Sequence, residues 1–181
     1  MKQSRAYKAQ HRGSVNNQVD ARNLLQRPGD IALVRRKALR AVVMLCPCGC
    51  GDVQVINLDL RVGPAWTFYQ NRAGISLYPS VWRESGCESH FVVWNDRIIW
   101  FDDDWWYEEL DSDGLRDRIL RMVSKDSFVH FKDLAEELKE VPWSVLRTCR
   151  KLVRERLLVE GDKELREHFR SFADSVENNN G

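Results

Sequence analysis

The chain lacks any long apolar run: its longest, "AVVML" and "FVVW", fall far short of the roughly 18 residues that a membrane-spanning helix needs. Its first residues are basic and polar, without the apolar centre of a signal peptide. Both absences lead us to expect a cytoplasmic protein. Excess charge of one sign is also missing, since 28 Lys and Arg against 27 Asp and Glu leave a net charge of +1. Any electrostatic role must therefore come from uneven spacing. Histidine is scarce, with four residues, His11, His90, His130 and His168. What is present is ordinary for a globular chain: 181 residues, 43% hydrophobic and 30% charged, enough for one medium domain or two small ones.

Charge is in fact unevenly spread. Residues 1–40 hold ten Lys or Arg against Asp20 and Asp30, whereas Asp102 to Asp113 contains seven acids and no base. Such asymmetry fits a nucleic-acid arm and an acidic linker, or equally two solvated segments. Five segments are expected. They are a basic, mobile N-terminal arm over 1–27, a β domain over 28–101, an acidic linker over 102–113, a winged-helix-like helical domain over 114–175 and a disordered tail over 176–181.

The pattern behind this division is periodic. "RPGDIALV" supplies a turn and a strand, "RAVVMLCPCGCGDVQVINLDL" two strands joined at a cysteine knuckle, and "SHFVVWNDRIIWF" a hairpin with "ND" at its tip. From Leu115 the period becomes helical. "DGLRDRILRMVSK", "HFKDLAEELKE" and "PWSVLRTCRKLVRERLLVEGD" read as three helices with Pro142 in the first turn of the third, then a short β wing. "KELREHFRSFADS" reads as a fourth helix. The fold class is α+β, a small zinc-stapled antiparallel β domain followed by the helical module.

Cysteine carries the strongest signal. Cys46, Cys48 and Cys50 fall within five residues, and thiols one residue apart pair poorly as disulfides. In a reducing compartment they point to metal. Pro47 stiffens the approach, and Gly49 and Gly51 permit the positive φ a knuckle requires. "GCESHF" offers Cys87, with His90 three residues on. Cys46, Cys48, Cys50 and Cys87 close a tetrahedral site around structural Zn2+. Placing His90 in the sphere instead leaves one cysteine over. Cys149, in a helical pattern, reads as a small buried side chain.

The succession "PGDIALV", "CPCGCGD", "ISLYPSVW" and "GCESHFVVWNDRIIW" resembles a bacterial family. Its pattern is a CPCGCG knuckle, a Tyr/Leu-Pro-Ser step and C-x-S-H-F before a hairpin. Members are encoded beside ubiquitin-like proteins with E1-like and E2-like enzymes. The resemblance, over about residues 28–101, implies a zinc-stapled, deubiquitinase-like serine peptidase that releases the ubiquitin-like modifier. It implies those proteins as partners. Here the hairpin tip lacks glycine and a helical appendage follows.

Serine chemistry needs a base and an orienting group. His90 is the only histidine of the β domain and is expected to be the base. Ser80 in "YPSVW" and Ser89 in "ESHF" are the two candidate nucleophiles. Adjacent residues on a strand point to opposite faces, so Ser80 is preferred and Ser89 becomes a supporting or oxyanion group. Glu88, two residues from His90, is the expected orienter, with Asp96 as another choice. The third helix carries Arg147, Arg150, Lys151, Arg154 and Arg156, interspersed with Glu136, Glu137, Glu140, Glu155 and Glu160, which suits a protein contact better than DNA. A non-catalytic adaptor, combining a zinc ribbon and winged helix and binding nucleic acid or a conjugation enzyme, is the competing expectation.

Overall fold

The computed structural model describes residues 4–102 and 114–172. The chain is a mixed α+β protein that divides into two compact units, Met1–Glu108 and Glu109–Gly181. Among the described residues, no helix is long and apolar enough to cross a membrane.

The first unit is built on a four-stranded sheet of order β1-β2-β3-β4: β1 (Gln10–Val15), β2 (Asp30–Arg35), β3 (Leu39–Leu45) and β4 (Val53–Asn57). β1 runs parallel to β2 and the other pairs are antiparallel. Alternation along the central strands sorts two cores. Ile31, Leu33, Val42 and Met44 face one, while Ala32, Val34, Ala41 and Val43 face the other, where Ala21 of helix α1 (Gln18–Asn23) covers them. The larger core is closed by hairpin β5 (Thr67–Asn71) and β6 (Gly74–Tyr78), and by a second sheet of β7 (Val81–Trp82), β8 (His90–Trp94) and β9 (Arg97–Trp100).

The N-terminal segment differs from the mobile arm expected over 1–27. β1 pairs with β2, and Asn17 caps α1 by accepting from the Asp20 N–H at 2.9 Å. Arg12 Nε bonds the buried Asp30 carboxylate at 2.8 Å. Ahead of β1, the chain lies along β9: Ile98 N–H donates to Tyr7 O and Ala9 N–H to Asp96 O. The anchoring residues are alanines, Ala9 and Ala21. These carry little hydrophobic signal, which is why the segment has no visible period.

In the β8–β9 hairpin, Asn95 and Asp96 both take positive φ, 51° and 60°, the conformation a two-residue turn demands and Asn and Asp tolerate without glycine. Register follows from that tip: Trp94 lies opposite Arg97, and Phe91 opposite Trp100.

The second unit contains α2 (Leu115–Met122), β10 (Val129–His130), α3 (Phe131–Leu138), α4 (Pro142–Arg154), β11 (Leu158–Glu160) and β12 (His168–Ser171). Its sheet has the order β10-β12-β11. Ile119, Leu134, Val145, Cys149, Leu152, Leu158 and Phe169 are buried, and burial pushes the Cys149 thiol up to about 12. The fourth helix expected from "KELREHFRSFADS" is instead a 3-10 turn, Lys163–Leu165, followed by β12. Lys163 and Glu167 have positive φ, 51° and 65°, which a helix cannot contain, and pairing with β10 and β11 buries Phe169 fully. The linker expected over 102–113 lies, apart from Asp102, outside the described residues, as does the tail 176–181.

Candidate active site and cysteine cluster

Tyr78 and Pro79, joined by a cis peptide bond, bring the chain from β6 to Ser80, immediately before β7. Trp66 Nε1–H donates to the Ser80 carbonyl at 3.1 Å and fixes the approach. β7 pairs antiparallel with β8, Val81 opposite Phe91 and Trp82 opposite His90. Ser80 is two residues from Trp82 and shares its face, so it is a diagonal neighbour of His90, within reach of a long side chain. Ser80 Oγ lies 3.0 Å from His90 Nε2.

His90 is held between aromatic rings. Phe101 stacks on it with centroids 3.6 Å apart and planes 9° apart, and Trp82 lies 5.9 Å away. Burial pushes the imidazole below its ordinary 6.5. Partial burial thus favours the neutral imidazole, and in its Nδ1–H tautomer Nε2 is free to accept from the Ser80 hydroxyl.

Ser89, on the other side of the strand from His90, is nearly buried at 7% exposure and sits among the thiols. Its Oγ is 3.4 Å from Cys46 Sγ and 3.3 Å from Cys87 Sγ. The sulfurs of Cys46, Cys48, Cys50 and Cys87 all lie within 4.8 Å of one another. Cys46 is 3.3 Å from Cys48 and 3.7 Å from Cys87. A tetrahedral ion with metal–sulfur bonds of about 2.3 Å separates its sulfurs by about 3.8 Å, so the donor set fits a four-thiolate metal site. Gln54 Nε2–H donates to Cys46 Sγ at 3.3 Å. Burial pushes the Cys46 and Cys48 thiols up. Burial acts the same way on Cys87, but hydrogen bonds to its thiolate from the Ser89 hydroxyl and N–H, joined by the Cys48 and Cys46 thiols, outweigh it and bring Cys87 down to about 6.

The knuckle itself is set by backbone. Cys46 N–H donates to Asp52 O at 2.8 Å, and Gly49 and Gly51 take φ of 79° and 88°. Asp52 also pairs with Arg83 at 2.6 Å, tying the knuckle to the loop that carries Cys87.

Two expected orienters stand elsewhere. Glu88 has φ of 50° and precedes β8, so strand parity does not carry it to His90. It lines the cavity beside His90, and among the described residues no carboxylate hydrogen-bonds the imidazole. Asp96 lies at the hairpin tip, where Oδ1 accepts from Ile75 N–H at 2.8 Å. The sequence reading missed Trp66, Gln54 and Phe101. For Phe101 a signal existed. Once the tip sets 94 opposite 97, residue 101 falls opposite 90, and Phe101 N–H donates to His90 O at 3.2 Å.

A cavity of about 380 Å³ opens between these groups, lined by Arg5, Cys48, Cys87, Glu88, His90 and Asp102 among others. Arg5 comes from the segment expected to be mobile. Its guanidinium meets the Asp102 carboxylate in two bonds, of 3.0 and 2.7 Å, and lies 4.4 Å above the Trp100 ring. The pair holds the Asp102 carboxyl below the usual range.

An α+β protein that sets a serine–histidine pair beside four converging thiols has the polar inventory of a serine hydrolase on a metal-capable scaffold. Residues 17–101 match the family model described as bacterial ubiquitination-like system serine protease (BubE). That match supports a serine protease of a bacterial ubiquitination-like system, and its span contains the four clustered cysteines with Ser80, Ser89 and His90. No curated protein matches the chain, and no solved structure does.

Proposed function

We propose that the chain is a serine-type peptidase or isopeptidase that processes or removes a bacterial ubiquitin-like modifier. Ser80 is the nucleophile, His90 the base, and Cys46, Cys48, Cys50 and Cys87 are the ligands of a structural Zn2+. The observation that carries this reading is the 3.0 Å contact between Ser80 Oγ and Nε2 of the half-buried His90, whose partial burial favours the neutral imidazole. Ser80 Oγ attacks the scissile carbonyl carbon while His90 Nε2 takes its proton. The imidazolium returns that proton to the departing amine as the amide C–N bond breaks, and water then hydrolyses the acyl-serine through the same base. Zinc would hold the knuckle and the Cys87 loop together, with Ser89 and Gln54 orienting its sulfurs. Partners are the ubiquitin-like protein and its E1-like and E2-like enzymes, in the cytoplasm, where thiols stay reduced.

The second unit is winged-helix-like, three helices and a three-stranded sheet, and serves protein contact. Arg150 of α4 is held by Glu160 at 3.3 Å and Glu167 at 3.6 Å, and Arg116 by Glu155, which lowers the field available to phosphates.

The test is cleavage of a ubiquitin-like precursor or fusion. Wild type is expected to cut. Ser80→Ala is expected to lose at least about 10³-fold in kcat, and Ser89→Ala to retain most of the rate when zinc is saturating. Binding without cleavage by wild type would favour the adaptor. Elemental analysis should find about one zinc per chain, and less than about half would remove the zinc assignment.

A further inference from the structure

The N-terminal segment does more than cover a sheet edge. Ala6 N–H donates to Pro47 O at 2.8 Å, inside the cysteine knuckle, and Ala6 O accepts from Trp100 Nε1 at 3.2 Å. Ala6, the residue next to Arg5, is thereby anchored through both its N–H and its carbonyl, at the knuckle and at the end of β9. Arg5 then lies on the cavity rim with its fork on Asp102, a two-bond contact specific to a guanidinium, and its charge over Trp100. Asp102 is the residue after Phe101, whose ring forms the stack on His90. Phe101 lies just past the last residue of β9 and is 47% exposed, so the strand ladder alone does not fix its ring.

We propose that Arg5 is a positioning residue for His90, acting through Asp102 and the Phe101 ring. The ion pair stops the chain from turning away after β9, and that holds Phe101 flat on the imidazole. The imidazole then keeps Nε2 aimed at Ser80 Oγ. As a role in catalysis this rests on the serine-peptidase reading above; as a constraint on the His90 ring it does not. Arg5 and Asp102 both fall outside the stretch 17–101 that matches the family model.

Side-chain exposures of 41% for Arg5 and 60% for Asp102 make the pair a modest one, so the effects are graded. In the full chain, Arg5→Ala is expected to lower kcat about three- to tenfold on a ubiquitin-like fusion, with KM within about twofold. It should also move the His90 imidazole resonances in ¹H–¹⁵N spectra, assigned through His90→Gln. Arg5→Lys, which keeps charge but not the fork, should fall between. The charge swap Arg5→Glu with Asp102→Arg should recover at least about half of both effects if the pair, rather than Arg5 alone, is responsible. Zinc content and thermal unfolding of each variant identify any that fail to fold, and Arg5→Lys then carries the comparison.

Unchanged His90 resonances in Arg5→Ala would overturn the proposal. So would a rise in KM alone that the swap does not rescue, which would make Arg5 a substrate contact. If wild type cuts no substrate, the peptidase reading fails by itself, while shifted and rescued His90 resonances would still support Arg5 as the group that holds the ring.

Discussion

His90 concentrates the chemistry because its surroundings decide its charge. Burial among Phe101, Trp82 and the strand disfavours the imidazolium, so the folded-state value lies below 6.5. In the proposed mechanism the active form is the neutral one. Activity therefore rises with pH as His90 loses its proton, and the acid limb of kcat/KM is expected to inflect below pH 6.5; an inflection above 6.5 would contradict the burial argument. Ser89 shows a different logic. Its hydroxyl touches two sulfurs, so its loss should weaken metal retention rather than the chemical step. Ser89→Ala is expected to bind zinc about 10- to 100-fold more weakly, measured by competition with a chelator, while Ser80→Ala leaves zinc affinity unchanged.

At the scale of elements, two turns set the site. The Asn95–Asp96 turn fixes β8 against β9, and with it the backbone of Phe101 opposite that of His90. Its Asp96 carboxylate also locks onto β6, accepting from Ile75 N–H, and a β-carbon built on Gly74 would stand 2.4 Å from Asp96 Cγ. Gly74 has φ of 126°, so Gly74→Ala meets both strain and a clash. It should destabilise the first unit by about 2 kcal/mol or more, seen as an earlier loss of its tryptophan fluorescence on denaturant titration. The hairpin was legible in "SHFVVWNDRIIWF" because alternation and a two-residue polar tip both pointed to it. The strand at His168–Ser171 was not. "KELREHFRS" has local helical preference, and only pairing with β10 and β11 and burial of Phe169 override it.

The whole molecule is two compact units, of which the first also carries the cysteine cluster. The second has an apolar core of ordinary kind. The first has two apolar cores and, beside them, four thiols close enough to share one cation, which they would ligate as thiolates. A strong chelator is thus expected to lower the unfolding temperature of the first unit while the far-ultraviolet helical signal of the second persists. Equal loss of both would show that the cysteine cluster is not a local staple.

Local chemistry made much of this readable in advance. Close-spaced cysteines with glycines announce a knuckle, alternating apolar residues announce strands, and a lone histidine near serines narrows the choice of base. Those signals are written in neighbouring residues. The sequence by itself thus determined the α+β character and the four-thiol set, and strand parity separated Ser89 from the face of His90. The tertiary structure alone decided that Ser80 meets His90 across β7 and β8, that Glu88 and Asp96 do not bond it, that Phe101 stacks on it, and that residues 5–23 are ordered. Each of these depends on register or on contacts between residues far apart in the chain, whose energy comes from burial in a shared core and leaves no periodic trace in the segment itself.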